Sequence, residues 1–169
     1  LYKQYTYQFF NNNILAIFNY ENNKFVSESL VGFHDNGLLT YEHIIIDGRE
    51  FFKTRWYESG KKESESQFSY PSSFPEGIEL YKSWFENGQK EYEGKWINDF
   101  DDCIGLHTSW YENGRTRSST KCFNGGGEHV STEWHENGQI KYKMEWHENG
   151  QMKSDKEYDK DGVCIKGDC

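Results

Sequence analysis

The chain is predicted to be all-β, an elongated antiparallel meander of repeated β-hairpins with about fourteen short strands, and three observations predict it. A six-residue unit recurs: Trp84-Phe85-Glu86-Asn87-Gly88-Gln89, Trp110-Tyr111-Glu112-Asn113-Gly114-Arg115, Trp134-His135-Glu136-Asn137-Gly138-Gln139 and Trp146-His147-Glu148-Asn149-Gly150-Gln151. Gly114, Gly126, Gly138, Gly150 and Gly162 are each 12 residues apart, room for about eight strand residues and a tight turn. Ile140 to His147 alternates apolar and polar residues without error, the period of a strand and not of a helix.

The elements follow in chain order. Asn11 to Asn13 and Asn22-Asn23 are turn residues, so residues 1–32 read as a degenerate hairpin cap continuous with the array that fills residues 33–169. Phe33-His34-Asp35-Asn36-Gly37-Leu38 and Trp56-Tyr57-Glu58-Ser59-Gly60-Lys61 are decayed copies of the unit. Gly37, Gly48 and Gly60 keep spacings of 11 and 12. Between Gly60 and Gly88 the period lapses. Pro71 and Pro75 fall there, and a longer loop is expected at Tyr70 to Gly77. A second irregular stretch, Asn98 to Gly105, is acidic.

Each aromatic-Glu-Asn-Gly turn is read as a three-residue loop with the glycine left-handed. On that register Trp146 faces Met152 and Ile140 faces Tyr158, and Trp84, Lys90, Tyr92 and Trp96 share a face. The tryptophans Trp56, Trp84, Trp110, Trp134 and Trp146, with the turn glycines Gly60, Gly88, Gly114, Gly138 and Gly150, are the structural positions of the repeat.

Composition agrees. Leu, Ile, Val and Phe make up only 33 of 169 residues, whereas Phe, Tyr and Trp are 18% of the chain, so aromatic burial has to hold the fold. Mean hydropathy is -1.00 and no apolar run approaches the ~20 residues of a membrane helix, so membrane insertion is not expected. A net charge of -9 repels a phosphate backbone, which argues against nucleic acid and favours a basic protein as partner.

The unit Trp-aromatic-Glu-Asn-Gly-Gln, followed by Lys-x-Tyr or a variant, resembles the MORN-variant repeat found in bacterial arrays, including the YwqK-type antitoxin family. The resemblance runs from about Phe33 to Gly162. Glu86-Asn87-Gly88, Glu112-Asn113-Gly114, Glu136-Asn137-Gly138 and Glu148-Asn149-Gly150 match its turn, and Trp84, Trp110, Trp134 and Trp146 its aromatic. It implies a β-hairpin array that binds protein, with toxin neutralisation the commonest label for bacterial members. It implies no catalytic group, since its signature consists of turn and packing residues.

The chemistry-bearing residues follow the repeat. His34, His135 and His147 occupy one repeat position, which Tyr57, Phe85 and Tyr111 also fill, so they read as packing residues and no metal site is expected. Glu157, Asp159, Asp161, Gly162 and Asp168 fall near calcium-loop spacing, but Asp161-Gly162 also keeps the turn rhythm, and a turn is the better reading. No phosphate-binding loop or nucleophile motif occurs, so neither a cofactor nor an enzyme is expected. Cys103 and Cys122 are expected as free thiols, separated by the three-residue turn unless a bulge intervenes. Cys164 and Cys169 are expected to form a local bridge.

The functional expectation is a non-enzymatic binding module, an antitoxin or immunity protein holding another protein, a basic toxin fitting the charge. Tyr57, Phe85 and Tyr111, alternating away from the tryptophans, and the acids Asp99, Asp101 and Asp102 are the expected contacts. The alternative is a secreted or surface structural or adhesive repeat protein. The compartment reads as cytoplasmic for an antitoxin, and as secreted or cell-surface if a leader has been removed.

Overall fold

The computed structural model describes residues 3–11, 14–71, 77–97, 102–122, 129–147, 149–167 and 169. These residues form fourteen strands joined by turns, and no helix occurs among them. The chain divides into two compact units, Leu1–Ser69 and Tyr70–Cys169. The division falls inside the interval where the turn period lapses.

The first unit holds β1 (Lys3–Asn11), β2 (Ile14–Glu21), β3 (Lys24–Phe33), β4 (Leu39–Ile46), β5 (Arg49–Trp56) and β6 (Lys62–Ser69). The second holds β7 (Ile78–Trp84), β8 (Lys90–Ile97), β9 (Asp102–Trp110), β10 (Thr116–Cys122), β11 (His129–Trp134), β12 (Ile140–Trp146), β13 (Met152–Tyr158) and β14 (Cys164–Lys166). Within each unit every strand pairs antiparallel with its neighbours in chain order.

The three-residue turn is borne out. In seven turns the residue after the aromatic donates its N–H to the carbonyl four residues on, and the glycine N–H returns to that residue's carbonyl, as in His135 N to Gln139 O at 2.8 Å and Gly138 N to His135 O at 2.8 Å. Gly138 and Gly150 take φ of 92° and 79°, the left-handed region such a loop requires. The asparagine closes the loop from inside: Asn137 Oδ1 accepts from Gln139 N at 3.0 Å, and Asn36, Asn87, Asn113 and Asn149 do the same in their turns.

Beyond the turn, the expected register is corrected. Trp146 does face Met152, but Tyr142 faces Glu157, so Ile140 is out of phase with Tyr158. A register shift next to the turn is the cause. Trp84 lies opposite Lys90, whereas Tyr92 lies opposite Ser83, the residue before Trp84. The same shift follows Trp56, Trp110 and Trp134. One extra residue in the returning strand reverses which side chains share a face. In the second unit Tyr81, Ser83, Tyr92, Trp96, Ser109, Ser118 and Tyr142 therefore line one face, and Trp84, Trp110 and Trp134, next in chain to Ser83, Ser109 and Glu133, alternate onto the other. Trp84, Trp110 and Trp134 therefore leave the common stripe expected with Tyr92 and Trp96, whereas Trp146, in phase with Tyr142, stays on that face.

The bulge also overturns the expectation of free thiols. Cys122 is in a disulfide, and no described cysteine is free. The shift between Thr116 and Ser118 sets Cys122 opposite Gly105 and so brings backbone positions 103 and 122 into phase. Cys164 and Cys169 are bridged as expected, with Cα atoms 5.9 Å apart.

Burial is thin. Ala16, Val31, Phe68, Ile97 and Cys122 are the buried apolar residues among those described, and no large side chain is fully enclosed. The tryptophans are half-buried.

Candidate functional site

The turns carry a second set of bonds. In a meander alternate turns lie on the same edge, so the glycines Gly88, Gly114, Gly138 and Gly162 mark one edge of the second unit, and Gly37 and Gly60 one edge of the first. Side chains of each turn reach the backbone of the next turn along that edge. Asn36 Nδ2 donates to Glu58 O at 2.8 Å, Asn87 Nδ2 to Glu112 O at 3.0 Å and Asn137 Nδ2 to Lys160 O at 2.7 Å. Where Asn113 stands, the neighbouring Arg115 makes the link, to Glu136 O at 2.8 Å.

The residue after the aromatic stitches likewise. His34 Nε2 meets Trp56 O at 3.0 Å, Tyr111 OH donates to Trp134 O at 2.6 Å, and His135 Nε2 meets Tyr158 O at 3.1 Å. Each ring nitrogen must carry its proton to face a carbonyl. Asn in the unit thus serves two bonds at once, its own loop and the next turn.

This places the sequence-predicted contacts. Tyr57, Phe85 and Tyr111 are half-buried first residues of their turns, and the Tyr111 hydroxyl is committed to Trp134 O. Asp99 and Asp101 lie outside the described residues, as does the side chain of Asp102, whose backbone opens β9 opposite Ile97. Among the described residues no three His, Cys, Asp or Glu side chains gather to hold a metal. Asp159, one residue of the calcium-like spacing, uses Oδ1 to accept from Asp161 N and Val163 N, both at 2.9 Å. Asp168 lies outside the described residues.

A cluster on the inner strands of the second unit went unread in the sequence. Tyr92 OH lies 2.6 Å from His107 Nδ1, His107 Nε2 lies 2.8 Å from Lys95 O, and the Trp96 ring meets His107 edge-on with centroids 4.5 Å apart. Because Lys95 O can only accept, Nε2 carries the proton and Nδ1 accepts from Tyr92. Gly94 makes the approach possible: a Cβ there would sit 2.5 Å from both His107 Nδ1 and Tyr92 OH. A lone glycine inside the strand between Tyr92 and Trp96 was the available signal. Ser118, Thr120 and Cys122 complete the wall of a 230 Å³ cavity over these rings.

Burial sets the electrostatics. It pushes the Tyr92 hydroxyl up to about 12 and holds His107 below the ordinary histidine range, against the pull of the Lys95 and Ile104 carbonyls. His43 in the first unit is also lowered by burial, which outweighs nearby Glu50. Because burial lowers both histidines in the fold, the unfolded chain binds more protons at them once the pH drops below about 6.5. Stability from them is complete above the unfolded value of about 6.5 and is lost as pH falls from there through the lowered folded values. The urea midpoint should therefore drop between pH 7.5 and pH 5, and His107→Gln should flatten that slope. An unchanged slope in the variant would show that His107 does not carry it.

With both ring nitrogens engaged and Cys122 in a disulfide, the cluster presents neither a free base nor a thiol nucleophile. It can bind; as it stands it has no group poised to transfer a proton.

No protein-family model matches the chain, and no curated protein matches it. A solved structure of a protein with unknown function from Bacteroides fragilis NCTC 9343 is similar at 12% identity over 98% of this chain and 91% of that one, with a TM-score of 0.21, too low to support any argument.

Proposed function

We propose that this chain is a non-enzymatic protein-binding repeat module, an antitoxin or immunity protein that neutralises a cognate toxin by direct contact. The observation that carries the reading is the uncovered state of the strand faces. Tyr7, Leu106 and Ile165 are 63%, 60% and 59% exposed, in units that enclose no large side chain and have no helix among the described residues to lay over them. A partner's surface supplies the missing cover, and half-buried tyrosine and tryptophan are the side chains that anchor such contacts.

Charge points to where a basic partner lands. Residues 1–69 carry 7 basic and 9 acidic side chains, residues 70–169 carry 12 and 19, so most of the negative excess belongs to the second unit. That field speeds encounter with a cationic surface, and the desolvated rings set the lifetime of the complex. The turns contribute little, because their polar groups are spent on one another.

Co-expression with the product of the adjacent gene tests this. Copurification, with rescue of growth when that product is toxic, is expected; neither copurification nor rescue would remove the antitoxin reading. The second reading, a secreted or surface repeat protein, draws support from the cysteines, since disulfides persist in oxidising compartments. Thiol titration of protein taken from its native cells separates the two: blocked thiols fit the surface reading, reactive thiols the cytoplasmic one.

A further inference from the structure

The first unit carries a group of unspent hydrogen-bond donors on one face of β4, β5 and β6. Tyr41 lies opposite Arg55 and Arg55 opposite Ser64; His43 lies opposite Lys53 and Lys53 opposite Ser66. Direct opposition puts these six side chains on the same side. Ser64 and Ser66 are only 9% and 6% exposed. Neither hydroxyl, nor the Tyr41 hydroxyl, nor the exposed Arg55 guanidinium has a hydrogen bond or ion pair to a described residue.

Two little-exposed serines side by side near an unpaired guanidinium present convergent donors to an acceptor. Acids of the neighbourhood do not fill it. Glu50 is occupied by Lys53 at 2.7 Å and His43 at 3.0 Å. Glu42 and Glu65 both pair across Thr54 and so alternate to the opposite face. Lys53, besides holding Glu50, lies 5.2 Å over the ring of buried Phe68, so it is not free to swing away. Beside these groups a cavity of 260 Å³ lies between β4 and β5, with Tyr41, Glu42, His43, Lys53, Thr54 and Arg55 in its wall.

We propose that this face is a binding site for a carboxylate group, gripped by the Arg55 fork with Ser64 and Ser66 donating beneath it. The planar guanidinium matches a planar carboxylate in two parallel bonds. Lys53 being held by Glu50, Arg55 is the cation of this face without an ion pair among the described residues, and a single guanidinium suits a monoanion better than a phosphate dianion. The site stands whether or not the chain neutralises a toxin, because it is defined by groups already in place.

The test titrates the full-length, isotope-labelled chain and follows the Arg55 Nε–H and the Ser64 and Ser66 amides by NMR. The probes are acetate, N-acetyl-alanyl-alanine for a chain-terminal carboxylate, N-acetylglutamate α-amide for a side-chain carboxylate, and inorganic phosphate. Saturable shifts at all three positions are expected with the carboxylates, and the tightest of the three names the source. Arg55→Gln should weaken binding about tenfold or more, and Ser64→Ala with Ser66→Ala about threefold or more. Because Arg55 is exposed, its variant keeps the wild-type circular dichroism. No saturable shift below about 100 mM carboxylate, equal binding by Arg55→Gln, or tighter binding of phosphate than of every carboxylate would overturn the proposal. Failure of copurification with a toxin would leave all of these outcomes unaffected.

Discussion

Gly94→Val lowers the stability of the second unit by about 3 kcal/mol, as an overpacked side chain and a broken buried hydrogen bond together require. The position has no room. A Cβ would sit 2.5 Å from both His107 Nδ1 and Tyr92 OH, and the imidazole is held from its other side by Lys95 O, so it cannot retreat without losing that bond too. Tyr92 can swing outward only by abandoning His107 and its place beside Tyr81, whose ring centroid is 5.9 Å away. Urea unfolding followed by Trp fluorescence reads the change. Gly88→Ala is the control, because nothing lies within 4 Å of its Cβ and only the left-handed φ of 89° opposes it, a cost of about 1 kcal/mol. Equal losses in the two variants would mean that the Tyr92–His107 contact has no weight.

The double variant Asn87→Ala, Asn137→Ala costs about 3 kcal/mol, and Asn149→Ala only about 0.5 kcal/mol. All three asparagines close their own loops through the same bond to the backbone two residues on. Asn87 and Asn137 additionally reach the next turn of their edge, at Glu112 O and Lys160 O. Asn149 belongs to the opposite edge, and its Nδ2 turns back to Gln151 Oε1 at 3.2 Å. The comparison therefore isolates the stitch between turns from the turn itself. Chemical denaturation measures both, and equal per-residue losses would show that the bonds between turns contribute nothing.

The turns were legible because their chemistry is local. Asn-Gly after Trp-aromatic-Glu dictates a left-handed residue within a few positions, and the backbone bonds around Gly138 and Gly150 follow from that alone. Strand number and antiparallel order were legible from the spacing of those glycines. The phase of the strands was not. The extra residue between Trp84 and the Ser83–Tyr92 pair leaves no mark in composition, since Lys90 and Glu91 suit either face, and the bulge is settled by which side chains pack across several strands. One such residue in each of three hairpins moved Trp84, Trp110 and Trp134 off the face of Tyr92, and the one between Thr116 and Ser118 brought Cys122 into phase with position 103.

The candidate sites hid for a related reason. Tyr92, Gly94 and His107 are separated by up to 15 residues and meet only when β8 and β9 pair with their own irregularity between Glu93 and Lys95. Ser64 and Ser66 look like ordinary polar residues of an alternating strand; their burial beside Arg55 comes from neighbours, not from the sequence around them. By contrast the shared role of His34 and His135 was legible from their recurrence at one repeat position, although each ring bonds to a backbone carbonyl, at Trp56 O and Tyr158 O, where packing was expected.

Inter-strand proton NOEs on the labelled chain report the strand phase that separates the stitched turns from the binding faces. Ser83 is expected opposite Tyr92, Glu133 opposite Tyr142 and Tyr142 opposite Glu157. Cross-peaks placing Lys82 opposite Tyr92 and Thr132 opposite Tyr142 would contradict it, since Trp84 and Trp134 would then return to the face of Tyr92 and Trp96.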